Sequence, residues 1–233
     1  MNGVLLIDKP AGWTSFDVVH KIRRIIEQSG LHTTARKRFP VGHTGTLDPQ
    51  ATGLLVLLLG TYTRRAPELT KADKTYAVTM RLGQISTTGD EEGEKTAISN
   101  KCPSQKEVQA VLQQFTGALM QTPPAHSAIK INGQRAYKLA RLGKQPDLQP
   151  RPAHIYSNHF VTYTYPNVLF YSHVSSGTYI RSLVQDMGET LSTGAYMAAL
   201  RRTQVGPFRL EGAIPPQAIT PDLLQERVFA IDT

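Results

Sequence analysis

Gly42-His43-Thr44-Gly45-Thr46-Leu47-Asp48-Pro49-Gln50-Ala51-Thr52-Gly53-Leu54-Leu55 is the stretch from which the rest of the 233-residue chain can be read. Its polar and kinked residues crowd around one carboxylate, Asp48. Gly42, Gly45 and Gly53 open backbone angles that other residues resist, so the segment can turn tightly and admit a close approach. Pro49 fixes its own φ and disfavours the helical region for Asp48, which predicts an extended Asp48 on a stiff frame. The apolar run Leu54 to Leu59 that follows reads as a buried strand. A carboxylate on a rigid loop before a core strand suits a nucleophile or a base. An Asp-Pro turn in which Asp48 caps local N–H groups would produce the same letters. Residue chemistry alone favours neither.

The whole chain narrows the classes. Its 233 residues allow one large domain or two small ones with a sizeable core. A net charge of +8, from 26 basic and 18 acidic residues, points to a polyanionic partner. Nucleic acid comes before membrane because no basic amphipathic helix stands out. The single cysteine, Cys102, excludes an internal disulfide and a cysteine-rich zinc site, and suits a reducing compartment. The N-terminus lacks the pattern of a signal peptide, and Leu54 to Leu59 is too short to span a bilayer. A cytoplasmic protein without membrane attachment is expected.

Outward from the central stretch, the chain mixes strand and helix signals. Val4 to Ile7 reads as a strand, followed by a turn at Asp8 to Ser15. Ser15 is the expected N-cap of a helix carrying Val19, Ile22 and Ile26 on one face and stopping at Gly30. Leu31 to Pro40 is basic and aperiodic, an exposed loop that either touches phosphates or is simply solvated. Thr61 to Leu69 is a short helix, and Lys74 to Leu82 a strand with Tyr76, Val78 and Met80 on one face. Gln84 to Lys95 reads as a loop. A solvated acidic turn accounts for Asp90, Glu91 and Glu92, which lack metal-ligand spacing. Ser104-Gln105-Lys106-Glu107 is a capping box for a helix bearing Val108, Val111, Leu112 and Phe115, with Gly117 as its stop. Gln121 to Arg141 interleaves Lys130, Arg135, Lys138 and Arg141 with Tyr137, a composition shared by RNA-gripping segments and ordinary surface helices. Tyr156 to Tyr165 and Val168 to Ser175 read as an antiparallel pair joined by a turn. Helix starts are predicted after Gly177 and at Thr220-Pro221.

The Gly42–Leu55 stretch resembles the catalytic motif of the TruB family of pseudouridine synthases, and the likeness runs from Gly3 to about Asp232. Lys9-Pro10-x-Gly12-x-x-Ser15 resembles the family's first motif, which packs against the catalytic loop. Lys74-x-Tyr76 with Arg81-Leu82-Gly83 resembles its second, and Gly177 to Leu183 its third. Thr88-Gly89-Asp90-x-x-Gly93, Pro123-Pro124-x-x-Ser127-Ala128-x-Lys130 and Leu200-Arg201-Arg202 also fit. The resemblance implies an α+β fold with a mixed, mainly antiparallel sheet, flanked by helices and loops. It implies one catalytic domain over residues 1–233, with an RNA-gripping insertion at about 121–151. Most bacterial relatives continue into a small RNA-binding PUA module, and this chain stops where that module would begin.

The implied activity is isomerisation of uridine 55 in the T loop of tRNA to pseudouridine. The reaction moves the ribose C1′ bond from N1 to C5 of the same base and needs no metal or cofactor. It needs a nucleophile, a pocket for the freed base, and help in removing the C5 proton. A carboxylate can be the nucleophile, at ribose C1′ or at uracil C6. Inside a water-excluding pocket it needs a cation beside it to stay ionised. By resemblance Asp48 is the nucleophile and Arg181 its bidentate partner. The target base must be flipped out of the loop, a cost of a few kcal/mol that aromatic stacking offsets. Tyr76 matches the tyrosine that stacks on the flipped base and assists at C5. Tyr179 matches a second pocket tyrosine, His43 the residue filling the vacated space, and Leu200 a backbone contact to uracil. Lys9 and Lys130 complete the expected substrate-binding set. The implied partner is tRNA alone, bound by a monomer. A tRNA-binding folding chaperone with dispensable catalysis is the alternative, and intact Asp48, Tyr76 and Arg181 count against it. A guide-RNA-directed synthase subunit is a third reading, and such a subunit is expected to carry the PUA module.

Overall fold

The computed structural model describes residues 1–31, 38–125, 127, 129–131, 133–143 and 147–231. In chain order the elements are β1 (Gly3–Lys9), α1 (Ser15–Gln28), β2 (Val41–His43) and β3 (Thr52–Leu59). A 3-10 turn over Gly60–Arg65 leads to α2 (Ala66–Leu69), β4 (Lys74–Leu82), β5 (Gln84–Ser86) and β6 (Lys95–Ala97). Then come α3 (Gln105–Gln114), β7 (Gly117–Gln121), β8 (Lys130–Ile131), β9 (Gln134–Arg135) and α4 (Ala136–Arg141). The chain continues with β10 (Arg151–Thr164), β11 (Asn167–Val174), α5 (Ile180–Thr190), β12 (Ala195–Val205), β13 (Phe208–Arg209) and α6 (Pro221–Arg227). This is an α+β protein whose strand pairs are mostly antiparallel, as expected. Two compact units are formed, Met1–Tyr76 with Arg201–Thr233, and Ala77–Leu200.

The first unit is built on β1 and β3, which pair antiparallel from Gly3–Leu59 to Lys9–Gly53. The run Leu54 to Leu59 shows no polar alternation because both of its faces are covered. Leu55, Leu57 and Leu59 pack with Val18, Val19, Ile22 and Ile26 of α1, while Leu54, Val56 and Leu58 pack with Val205 and Phe208. Each such leucine, removed from water, contributes about 1.5–3 kcal/mol. The end of β12 runs parallel to the start of β3, with Arg201 opposite Thr52 and Arg202 opposite Gly53. The N-cap of α1 is Thr14, not Ser15. Thr14 and Asp17 form a reciprocal capping box, and the Ser15 hydroxyl points instead to the Asp48 loop. Residues 32–37 of the predicted basic loop lie outside the described residues. At that loop's end Phe39 is buried, its N–H donated to Glu27 and its carbonyl held by Arg23. Polarity on either side concealed this one core residue.

The second unit orders β4, β11, β10 and β7 side by side. Val78, Met80 and Leu82 of β4, Phe170 and Val174 of β11, and Leu183, Val184 and Met187 of α5 are buried. The capping box at Ser104 forms as predicted. Asn158 of β10, buried, donates to the Leu112 and Phe115 carbonyls at the end of α3 and so closes that helix. Four of the strands that escape sequence reading stand out. β5 and β6 form a hairpin inside the predicted acidic loop, β7 begins at the helix-stopping Gly117, and β12 occupies a stretch with no clean alternation. Short strands have too few residues for a period to show.

Candidate active site

The Asp48 loop is held from three directions within the first unit. From β1, the fully buried Lys9 ammonium donates to the carbonyls of Pro10 at 2.8 Å, Trp13 at 2.6 Å and Pro49 at 3.0 Å. From α1, the Ser15 hydroxyl donates to the Leu47 carbonyl at 3.1 Å and accepts its N–H at 2.9 Å. From β12, Arg202 donates through Nε to the Leu54 carbonyl at 2.7 Å and through Nη2 to the Gly45 carbonyl at 3.0 Å. Between these anchors the Ala51 N–H donates to the Asp48 carbonyl at 3.1 Å, so the Asp-Pro turn is real. The half-buried Asp48 therefore sits on a turn whose flanks are pinned. The turn and the placement suited to a nucleophile coexist. Gly53 makes the close approach possible: its φ is +95°, and a Cβ there would run into the Arg202 carbonyl.

Arg202 is the residue that sequence reading passed over. It matched a family pattern, but nothing local distinguishes it from Arg201, whose Nη2 reaches Asp8 at 2.7 Å while half exposed. Arg202 is 2 % exposed, and Tyr76 lies close enough to act on its guanidinium electrostatically. Burial draws its pKa down, and Tyr76 opposes that. One buried cation thus holds the Asp48 loop and lies beside the tyrosine expected to stack on substrate. The advance signal was its place in the family pattern Leu200-Arg201-Arg202, which does not tell the two arginines apart.

The field around the loop is positive. Burial pushes Lys9 down to about 8, with Asp48 pulling the other way and Arg202 adding to the fall. The three carbonyls on its ammonium also favour the charged form. Lys74, which donates to the Thr70 carbonyl at 2.6 Å, is likewise pushed down to about 8 by burial and by Arg202. His43 is lowered by burial and then by Arg202. Its Nδ1 accepts the Gly45 N–H at 3.2 Å, which assigns the unprotonated nitrogen. Lys9 was expected to touch substrate. With no exposed surface and three carbonyls around its ammonium, it is instead a strut under the loop.

Tyr179, Arg181 and Leu200 belong to the second unit. Tyr179 is the N-cap of α5, and its backbone is clamped by the buried Gln121 side chain, with bonds of 3.0 and 3.2 Å. Ser182 Oγ donates to the Thr122 carbonyl at 2.8 Å. The end of β7 thereby sets the start of α5, a role for Gln121 that sequence reading missed. Arg181 is buried, with Nη1 3.5 Å from Asp90 Oδ2 and 3.2 Å from the Thr88 carbonyl. Asp90 is itself 7 % exposed and accepts from the Thr88 hydroxyl and the Glu92 N–H. The solvated acidic turn is thus corrected at Asp90, which faces inward to an arginine. Glu91 and Glu92 remain exposed. Lys130 lies in β8, and its side chain is outside the described residues. Among the described residues no group of three or more His, Cys, Asp or Glu side chains could hold a metal ion. No helix among them is long and apolar enough to cross a membrane.

Residues 33–180 match the family model described as TruB family pseudouridylate synthase, N-terminal domain. Residues 181–229 match that of the tRNA pseudouridylate synthase B C-terminal domain. The chain belongs to the TruB family of pseudouridylate synthases. It is 40 % identical over 227 residues to tRNA pseudouridine synthase B of Burkholderia mallei (strain NCTC 10247), covering 97 % of this chain and 72 % of that one. It is 41 % identical over 232 residues to the protein of the same name from Clostridium novyi (strain NT), covering all of this chain and 77 % of that one. Among solved structures, a Cbf5-Nop10-Gar1 complex matches with a TM-score of 0.69 and 31 % identity over 96 % of this chain. An H/ACA ribonucleoprotein bound to a substrate RNA containing 2′-deoxyuridine matches with a TM-score of 0.66 and 29 % identity over 92 % of this chain. This TruB-family chain spans about half the length of those two chains, 54 % and 51 %.

Proposed function

We propose that this chain isomerises uridine 55 of the tRNA T loop to pseudouridine, with Asp48 as the nucleophile. The observation that carries the reading is the threefold anchoring of the Asp48 turn by Lys9, Ser15 and Arg202. Nucleophilic catalysis rewards a reacting group fixed before substrate arrives, because the ordering cost is met in folding and not in the transition state. Arg202 and the lysines supply a positive field over the loop, favourable to a phosphate backbone and to charge developing at the carboxylate. Tyr76, beside Arg202, offers its face to a flipped uracil. His43, neutral and tied to Gly45, takes the space the base leaves. Following the family pattern, Arg181 is the cation for Asp48, and Asp90 positions its guanidinium. Tyr179 and the Leu200 backbone contact the nucleoside, and Lys130 lies within an RNA-gripping insertion at about 121–151. The enzyme acts as a cytoplasmic monomer on tRNA.

Pseudouridine mapping in an unmodified tRNA transcript tests this. The parent protein modifies the T-loop uridine alone, and Asp48→Asn lowers the rate by at least about a thousandfold, as loss of a covalent nucleophile does. Equal modification by both proteins removes Asp48 from its role. Bound tRNA left unmodified by the parent favours the folding-chaperone reading.

A further inference from the structure

We infer that Phe16 and His20, on the outer flank of α1, form a stacking ledge beside the Asp48 loop for a base that flanks the flipped uridine. α1 lies along the stretch that leads to Asp48. At one end Arg23 donates to the Phe39 and Val41 carbonyls, and Glu27 accepts the Phe39 N–H. At the other, Ser15 Oγ bonds both the N–H and the carbonyl of Leu47. Phe16, Arg23 and Glu27 stand at i, i+7 and i+11, positions that share one side of a helix. Phe16 is therefore on the flank against which this stretch runs, at the end nearer Leu47 and Asp48. It is 63 % exposed, and the ring of His20, also exposed and one turn on, has its centroid 6.5 Å away. A lone phenylalanine in water would call for no explanation. Two rings together at the rim of the loop that presents the nucleophile do.

Place chooses the occupant. A uridine that reaches Asp48 brings its own strand across the residues around the Asp48 turn, and the ledge adjoins those residues through Ser15. Protein interfaces use aromatic rings as freely as RNA recognition does, so it is continuity with the substrate site, not composition, that favours RNA. Charge agrees. Arg38 is exposed and lies near enough to Arg23 to add to burial in lowering the Arg23 pKa. The acids on this side are already committed. Asp17 accepts from the N–H and hydroxyl of Thr14, and Glu27 from the Phe39 N–H. A phosphate at Arg38 would ease the repulsion between the two guanidiniums. The inference rests on the reading of the chain as a tRNA-acting enzyme.

The test uses the full chain with Phe16→Ala, Phe16→Leu, Phe16→Trp and Arg38→Ala, all at exposed positions, with melting curves confirming folding. Affinity for an unmodified tRNA transcript is measured over a range of salt concentrations. Phe16→Ala and Phe16→Leu are each expected to weaken binding about tenfold, and Phe16→Trp to bind as the parent does, because stacking needs a ring and not merely apolar bulk. The slope of log affinity against log salt should stay parental in Phe16→Ala and become shallower by about 1 in Arg38→Ala, as loss of one phosphate contact requires. Parental affinity in Phe16→Ala overturns the ledge. So does Phe16→Leu binding as the parent does, or an unchanged salt slope in Arg38→Ala, which takes the strand away from this side of α1. A concentration-dependent dimer in sedimentation that Phe16→Ala abolishes without changing tRNA affinity overturns it as well. Pseudouridine formation by the parent in the same transcript is measured alongside. An active parent whose Phe16→Ala variant binds tRNA normally removes the ledge alone. An inactive parent whose Phe16→Ala variant loses tRNA affinity removes the enzyme reading alone.

Discussion

The Asp48 loop of the first unit and the Arg181 corner of the second solve the same problem, a buried charged group, in opposite ways. At the loop, Lys9 and Arg202 are satisfied by main-chain carbonyls. Those bonds shape the backbone and leave the net positive charge uncancelled. At the corner, Arg181 faces a carboxylate, Asp90, as well as the Thr88 carbonyl. That arrangement aims a guanidinium and neutralises part of its charge. The first design makes architecture with a field, and the second makes orientation. Loss of a cation should therefore show up as instability at the loop, and loss of the anion as slow turnover at the corner.

The sharpest way to break this contrast is Arg202→Leu. It leaves the Leu54 and Gly45 carbonyls without their donor in a dry site. Unfolding in urea should register a loss of about 4 kcal/mol, at 1–3 kcal/mol for each stranded group. A loss below about 1 kcal/mol would show that the loop holds itself.

Asp90→Asn is the matching change at the corner. The amide keeps the shape and one acceptor, so urea unfolding should record about 2 kcal/mol or less, well short of the Arg202 value. Single-turnover rates should fall by about 10- to 100-fold, or about 1.4–2.7 kcal/mol of barrier, with tRNA affinity little changed. If affinity falls with the rate, Arg181 serves binding and the comparison must be redrawn.

The smallest expected effect is a pH dependence that sharpens the picture of the loop. His43 has a folded-state pKa below its ordinary 6.5, through burial and Arg202. Above 6.5 both folded and unfolded chains are neutral there. Below it the unfolded chain takes up a proton that the folded chain refuses, so stability falls as pH drops through the window under 6.5. His43→Gln retains an acceptor for the Gly45 N–H and should flatten that part of the urea-midpoint profile. An unchanged slope would mean that burial and Arg202 do not hold His43 below its ordinary value.

Much of this was legible in advance. The Thr220-Pro221 helix start, the Ser104 capping box and the Lys74–Leu82 strand are local signals and formed where expected. Asp48 and His43 share one contiguous motif, and Tyr76 belongs to a second, so each was expected at the site from local sequence alone. Lys9 was named for the wrong task, because a lysine bound by three carbonyls and a lysine waiting for phosphate have the same neighbours in sequence. Asp90 was misread for a similar reason, since burial is not visible in the acidic run Asp90-Glu91-Glu92. The short strands β5, β6 and β7 were missed because pairing partners, not propensity, define them.

The sequence by itself determined the doubly buried β3, the glycine-dependent turn at Asp48 and the TruB-type motif set. Each depends on residues within a few positions of one another, where backbone sterics and hydrophobic period act. Only the tertiary structure decided which charges are buried and what answers them. Arg202 reaches Leu54 and Gly45 from about 150 residues away, and Arg181 meets Thr88 from 93. A buried cation must find acceptors wherever the fold brings them, because leaving it bare costs more than most single contacts contribute.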